Sequence, residues 1–312
     1  MLPDDIVLDN GDLNGVHVWK REKLYRGLNG RFVERFYLNA GESYIFKPLT
    51  NDTQFGKEVW VHRKILSQFP SIYPKIISCS TTRKPELSWM IVEDLGPLSH
   101  DFNEDSVIRL AKIMAWWHSL PIGPFLDIPR AGQKPRFEDI AADIRLNKDG
   151  LLQQLPLAGI EGDDIHRFFF IIDSFIFSKK QVLSHGDLHL GNFAVVGERL
   201  VVLDWEHAHL NSPFWDLFHL LDLSHPLFPK KITREFRDQV LSLYLDEVEF
   251  EVADPDAFMY EYHLYSAVFS MWMVRLIQQD LAADDGKWPR ERLENQLEET
   301  TAVLKQCLER LF

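Results

Sequence analysis

His185-Gly186-Asp187-Leu188-His189-Leu190-Gly191-Asn192, followed by Val201-Val202-Leu203-Asp204-Trp205-Glu206, is the stretch on which the reading of this chain turns. It sets an aspartate, an asparagine five residues on, and a second aspartate at the end of a short apolar run. Phosphoryl transfer from ATP needs those groups. A carboxylate orients the attacking hydroxyl and accepts its proton, while an amide oxygen and a second carboxylate hold magnesium. Asp187 is thus the candidate catalytic base, Asn192 and Asp204 are the candidate metal ligands, and Glu206 is a third or water-mediated ligand. Each has a plainer reading too: Asp187 and Asn192 as turn residues beside Gly186 and Gly191, Asp204 as a strand-end cap, Glu206 as a surface carboxylate.

The order His-Gly-Asp-x-x-x-x-Asn followed by Leu-Asp-Trp-Glu resembles the motif pair of the aminoglycoside phosphotransferase and choline kinase family. These small-molecule kinases are similar in fold to protein kinases. The resemblance is strongest over residues 183 to 220 and extends more weakly back to about residue 25. It implies an α+β, protein-kinase-like fold: a small antiparallel β-rich lobe over residues 1–95, a larger mainly helical lobe over 96–312, and ATP in the cleft. It also implies that Lys47, at the end of an apolar strand, reaches the ATP phosphates with Glu58 as its anchor. Gly27 to Gly30 would cover the nucleotide, although an ordinary hairpin turn explains those glycines as well. Backbone groups of Glu93 and Leu95 would read the adenine edge, with Met90 packed near the ring. His185 would fix the catalytic loop by hydrogen bonds, and Asp216 would tie its helix back to that loop.

The whole chain is compatible with this. Its 312 residues exceed the usual size of a single core, so two lobes are expected. A hydrophobic share of 46% beside a charged share of 26% is that of an ordinary globular protein. The start, Met1-Leu2-Pro3-Asp4-Asp5, lacks the basic-then-apolar pattern of a signal peptide. The most apolar run, Phe168 to Phe177, is too short to span a bilayer. Cys79 and Cys307 cannot form a disulfide framework. A cytoplasmic protein without membrane partners is the expectation. The net charge of −13 argues against nucleic acid as a partner and would suit a cationic acceptor, though it also simply favours solubility.

Local patterns outline the elements. Gly15–Tyr25 and Arg31–Leu38 are β-rich around the Gly27–Gly30 turn. Ser43–Lys47 is a strand ending at Pro48, Gly56–Phe69 is helical, and Ile76–Cys79 and Ser88–Val92 are a strand pair. Glu93-Asp94-Leu95-Gly96-Pro97 is the expected hinge. Beyond it, Val107, Leu110, Ala111, Met114, Trp117 and His118 recur at helical spacing, and Ile165–Phe177 reads as a helix buried on most sides. Short strands at Val182-Leu183 and Val201–Leu203 flank the catalytic loop. Ser212-Pro213 opens the helix Phe214–Leu223, with Ser as N-cap and Pro at the first position. Long helices near Ala257–Leu281 and Pro289–Leu311 close the chain.

Rival readings come from other classes. His185, Asp187 and the neighbouring His189, His207, His209, His219 and His225 could be the ligand set of a zinc hydrolase, but that leaves Lys47 and Asn192 as coincidences. Trp205, Trp215, Tyr262, Tyr265 and Trp272 could form a cation–π box, although helical spacing favours core. A non-catalytic interaction protein of kinase fold should lack a base, a metal ligand or the lysine, and none is missing. A protein kinase needs an activation segment, and only seven residues separate Asp204 from Ser212.

Overall fold

The computed structural model describes residues 2–129, 135–283 and 288–312. The chain divides into two compact units. The first holds the chain up to Ser99, a short stretch from Asp127, and Ala194–Ala208; the second holds His100–Leu126, the part that ends at Phe193, and His209–Phe312.

In the first unit β1 (Lys20–Arg26), β2 (Phe32–Asn39), β3 (Glu42–Pro48), β4 (Ile76–Cys79) and β5 (Trp89–Glu93) form an antiparallel sheet of order β1-β2-β3-β5-β4. Alternation along β2 and β3 turns Phe36 and Phe46 to one face, where they meet Ile91, Ile6 and Leu13 in a buried cluster. The register places Lys47 opposite Met90 and Tyr44 opposite Glu93. β1 begins at Lys20 and not at Gly15. The preceding residues instead make a loop in which Asn14 Nδ2 donates to the Asp5 carbonyl at 3.1 Å and Asn14 Oδ1 accepts from the Val16 amide at 3.1 Å. The exposed edge strand carries Lys20, Arg21, Lys23 and Arg26, charges that discourage pairing with another chain.

The β1–β2 turn closes as expected, with the Gly27 amide donating to Arg31 O at 2.8 Å and the Gly30 amide to Gly27 O at 3.0 Å. Gly30 has φ +84°, and a Cβ on Gly27 would fall 2.3 Å from Thr50 Cβ, so neither position tolerates a side chain easily. Helix α1 (Lys57–Lys64) follows Gly56. The hairpin of β7 (Phe193–Val196) and β8 (Arg199–Val202) is tied to the β4 approach by Val202 N donating to Ile72 O, and Arg199 donates to Ser71 O and Tyr73 O.

The second unit is mainly helical: α2 (Glu104–His118), α3 (Phe137–Leu146), α4 (Lys148–Gln154), α5 (Gly162–Ser174), α6 (Pro213–Leu221), α7 (Arg234–Glu247), α8 (Pro255–Ala283) and α9 (Arg290–Leu311), with a two-stranded pair of β6 (Val182–Ser184) and β9 (His209–Asn211). Ser212 caps α6 by accepting from the Phe214 amide at 3.3 Å. The expected all-round burial near residue 170 is corrected. α5 buries Ile165, Phe168, Phe169 and Ile172 on one face, ends at Ser174, and leaves Phe170 and Ile176 exposed. Among the described residues no helix is long and apolar enough to cross a membrane.

A buried ion pair holds the centre of this unit. Arg237 Nε donates to Asp222 Oδ1 at 2.8 Å, and Asp222 Oδ2 accepts from Tyr262 Oη and Ser266 Oγ, each at 2.7 Å. Asp222→Ala strands the guanidinium in the core and is expected to cost about 3–5 kcal/mol, read by urea unfolding.

Candidate active site

Within the first unit, Lys47 Nζ lies 2.7 Å from Glu58 Oε2 and 2.7 Å from Asp204 Oδ1. The eleven-residue step from Lys47 to Glu58 suffices because α1 starts soon after β3, and Glu58 sits in its first turn. Burial opposes the charge on Lys47, but Asp204, Glu58 and Glu206 outweigh it and hold its pKa well above the ordinary value. For Glu58, burial pushes the carboxyl up, Lys47 opposes, and nearby Asp204 pushes further up. Glu58, Asp204 and Glu206 bring ligand oxygens within 4.8 Å of one another. These three carboxylates outnumber the ammonium groups of Lys47 and of Lys57, which interacts with Glu206, and they are the hard-oxygen donor set that a divalent cation such as magnesium takes.

Asp204 is held at φ 58°, ψ 57°, and among the described residues it is the single non-glycine with positive φ. This left-handed conformation costs of order 1 kcal/mol and is tolerated best by Asp and Asn. It turns the chain sharply out of β8 where the carboxylate meets Lys47. Lys57 had no signal in the sequence. It is fully buried at the start of α1, and burial, opposed by Glu206, lowers its pKa to about 8.

Both ends of the expected hinge are fastened. The Glu93 amide donates to Lys75 O at 2.9 Å, while its carboxylate accepts from Arg199 at 2.8 Å. Asp94 accepts from Arg35 at 2.8 and 3.1 Å, from Ser43 Oγ at 2.7 Å and from the Gly96 amide at 2.9 Å. Leu95 stands between these fixed points, and Met90 is buried in β5. Gly27, Asn29 and Gly30 donate their amides within or beside the turn. They shape the hairpin and do not turn those donors outward.

Within the second unit, Asp216 anchors the loop that carries Asp187. Its carboxylate has no exposure and accepts from the His185 amide at 2.7 Å, the Gly186 amide at 3.1 Å, Ser184 Oγ at 2.8 Å and His118 Nε2 at 3.2 Å. Burial opposes its ionisation, but the His118 hydrogen bond and charge, with His185 and Ser184, win and depress its pKa strongly. Trp215 Nε1 adds a bond to Gly186 O at 2.9 Å. His185 is buried, and its Nδ1 accepts from the Asp187 amide at 3.3 Å. Asn192 Nδ2 donates to Asp187 O at 2.7 Å, so Oδ1 is the atom it could offer to a metal ion. His118 and Ser184 were not foreseen as partners of Asp216, since only tertiary packing brings them there.

The rival sites do not form. The group of His, Cys, Asp or Glu side chains close enough to share an ion among the described residues contains no histidine. Of the five aromatic residues, Trp205, Trp215, Tyr262 and Tyr265 are each at most 1% exposed, as core residues are, and Trp272 is half-buried.

The sequence pattern of the phosphotransferase enzyme family matches residues 85–257, more than half of the chain. The chain belongs to that family. No curated protein sequence matches it significantly, but solved kinase structures do. It is similar to a choline/ethanolamine kinase family protein from Mesorhizobium loti, at 14% identity over 95% of this chain and 94% of that one, TM-score 0.55. An AMP-bound spectinomycin phosphotransferase matches at 14% identity over 93% of each chain, TM-score 0.55. An amicoumacin kinase, solved with AMP-PNP, Ca2+ and its ligand, matches at 16% identity over 94% and 89%, TM-score 0.57. The protein-kinase-like α+β fold expected from the motifs is therefore the fold of this phosphotransferase.

The strain at Asp204 is testable apart from catalysis. Asp204→Asn and Asp204→Val both remove the carboxylate, but only Asn tolerates positive φ. Thermal or urea unfolding should place the Val variant about 1–2 kcal/mol below the Asn variant.

Proposed function

We propose that this phosphotransferase moves the γ-phosphate of ATP, with magnesium, to a hydroxyl of a small molecule. The observation that carries the reading is the single ammonium of Lys47 held between Glu58 and Asp204, with Glu206 completing an excess of carboxylate oxygens. Lys47 would hold the nucleotide phosphates and Glu58 would keep it aimed. Asp204 and Asn192, with Glu206 in support, would hold magnesium, whose charge neutralises the phosphates. Glu93 and Leu95 would meet the adenine edge beside Met90, under the turn shaped by Gly27 and Gly30. Asp187 would orient the acceptor hydroxyl and take its proton, on a loop fixed by His185 and Asp216. Phosphoryl transfer depends chiefly on such positioning, so Asp187 needs no raised pKa to act.

Aminoglycosides, amino alcohols such as ethanolamine and choline, homoserine-like amino acids and sugars all suit this chemistry, because fold and motif fix the reaction and not the acceptor. The net charge of −13 favours a cationic acceptor over nucleic acid. The free cysteines Cys79 and Cys307 fit a reducing cytoplasm.

ADP release measured across that panel tests the reading. Asp187→Ala should keep nucleotide affinity while turnover falls ~10²–10⁴-fold, the range for a lost general base. Wild-type turnover in the variant would remove Asp187 from the mechanism.

A further inference from the structure

Gly191 sits in the short turn Leu190–Asn192, and its φ is not in the left-handed region, so backbone conformation does not call for glycine there. Space does. A Cβ on Gly191 would overlap Phe228 Cε2 and fall 2.7 Å from Phe228 Cδ2 and Cζ, whereas two carbons pack best at about 3.5–4.0 Å. The ring of Phe228 therefore stands where a side chain at position 191 would be. Imidazoles surround it. Phe228 stacks on His189 at 5.7 Å between centroids, tilts against His225 at 5.1 Å and meets His100 edge-on at 5.4 Å. Two of these histidines hold the same stretch of chain. His189 Nδ1 accepts from the Gly191 amide at 3.0 Å, its Nε2 lies 3.4 Å from Asn192 Nδ2, and its carbonyl accepts from the Asn192 amide at 2.8 Å. His100 Nδ1 donates to the carbonyl of Phe193, the next residue, at 3.2 Å.

Phe228 is itself carried on a fastened turn. Its amide donates to His225 O at 3.0 Å, and the Leu227 amide donates to His225 Nδ1 at 3.1 Å. On one side α9 grips the turn: Ser224 Oγ donates to Glu299 Oε2 at 2.6 Å, and Ser224 O accepts from Gln296 Nε2 at 2.9 Å. On the other side α6 grips it, because the buried Lys230 Nζ donates to His219 O at 2.9 Å and to Leu220 O at 2.6 Å. A ring on so fixed a base, packed between other rings, resists displacement and passes that resistance to the turn it touches.

We propose that Phe228 is a positioning residue for phosphotransfer: its ring fills the space of the absent Gly191 side chain and fixes the Leu190–Asn192 turn, so that Asn192 is offered to the metal in one orientation. Phe228 has no ligand atom of its own and acts through Gly191 and His189. Neighbours that orient a metal ligand contribute ~10–100-fold to metal affinity or activity. The inference rests on the metal-ligand role given to Asn192 above.

The test measures ADP release from ATP against magnesium concentration, with water alone and with the hydroxyl panel, alongside the melting temperature. The proteins compared are the wild type, Asn192→Ala, Gly191→Ala, Phe228→Ala and Phe228→Leu, and Gly191→Ala combined with each Phe228 substitution. Phe228→Ala should raise the half-saturating magnesium concentration ~10-fold and lower turnover ~10–100-fold. Phe228→Leu keeps apolar bulk at the place and should recover part of both. Gly191→Ala should lower turnover ~10²-fold, the scale of a 1 Å displacement at a reacting site. Shrinking the ring removes the overlap, so each double variant should be more active than Gly191→Ala alone; the Leu pair carries this comparison if Phe228→Ala does not fold. Single-variant losses that simply multiply in the doubles, or wild-type rates in Gly191→Ala, overturn the inference. A lowered melting temperature in the Phe228 variants with unchanged metal dependence and turnover assigns the ring to packing and overturns it too. Those outcomes leave the phosphotransfer reading standing. Wild-type metal dependence in Asn192→Ala, or a wild type without magnesium-dependent ADP release for any acceptor, ends the reading on which the inference stands.

Discussion

A carboxylate shut away from water organises the second unit. Asp216 receives two consecutive backbone amides, a hydroxyl and an imidazole. Burying an unpaired carboxylate would cost several kcal/mol, so these four donors must stay where they are for the unit to remain folded. They come from the end of β6, from the loop itself and from α2, and His118 is in turn held by Tyr244 of α7 at 2.8 Å. The loop that carries Asp187 and Asn192 is thus fixed by the same bonds that hold the core together. Positioning of that kind is what phosphoryl transfer requires, since the protein contributes little covalent chemistry of its own.

The first unit solves a different electrostatic problem. Glu58, Asp204 and Glu206 crowd together beside Lys47, and the backbone of Asp204 adopts a conformation that most side chains avoid. Neither feature helps the sheet, whose stability comes from the Phe36, Phe46 and Ile91 cluster and from its ladders. Strain and like-charge crowding kept together at one place are the marks of a site shaped for a ligand. A divalent cation bound with the phosphates of a nucleotide would relieve that crowding, as the proposed function requires.

Much of this could be read from the residues. Asp187, Asn192 and Asp204 could be picked out as candidates because the chemistry dictates their types and spacing. Ser212-Pro213 marks the start of α6 through local capping alone, and alternation marks β2 and β3. What stayed hidden depends on packing between distant segments. Lys57 looks like any surface lysine beside Gly56 until the fold buries it, and His118 reads as part of an apolar helix face and not as a donor to Asp216. α5 seemed buried all round because hydrophobic residues run on through Phe177, yet the 3.6-residue period seats only Ile165, Phe168, Phe169 and Ile172. α7 shows too mixed a face to stand out. The left-handed turn at Asp204 has no signature, because Asp is common in ordinary turns as well.

The central claim is that the carboxylates around Lys47 exist to take a metal–nucleotide complex. Calorimetric titration of ATP into the wild-type protein, with magnesium and then with magnesium chelated, tests this most directly. The account predicts that removing the metal weakens ATP binding by ~10-fold or more, about 1.4 kcal/mol, because the crowded carboxylates then repel the phosphates. Equal affinity in the two conditions would contradict it.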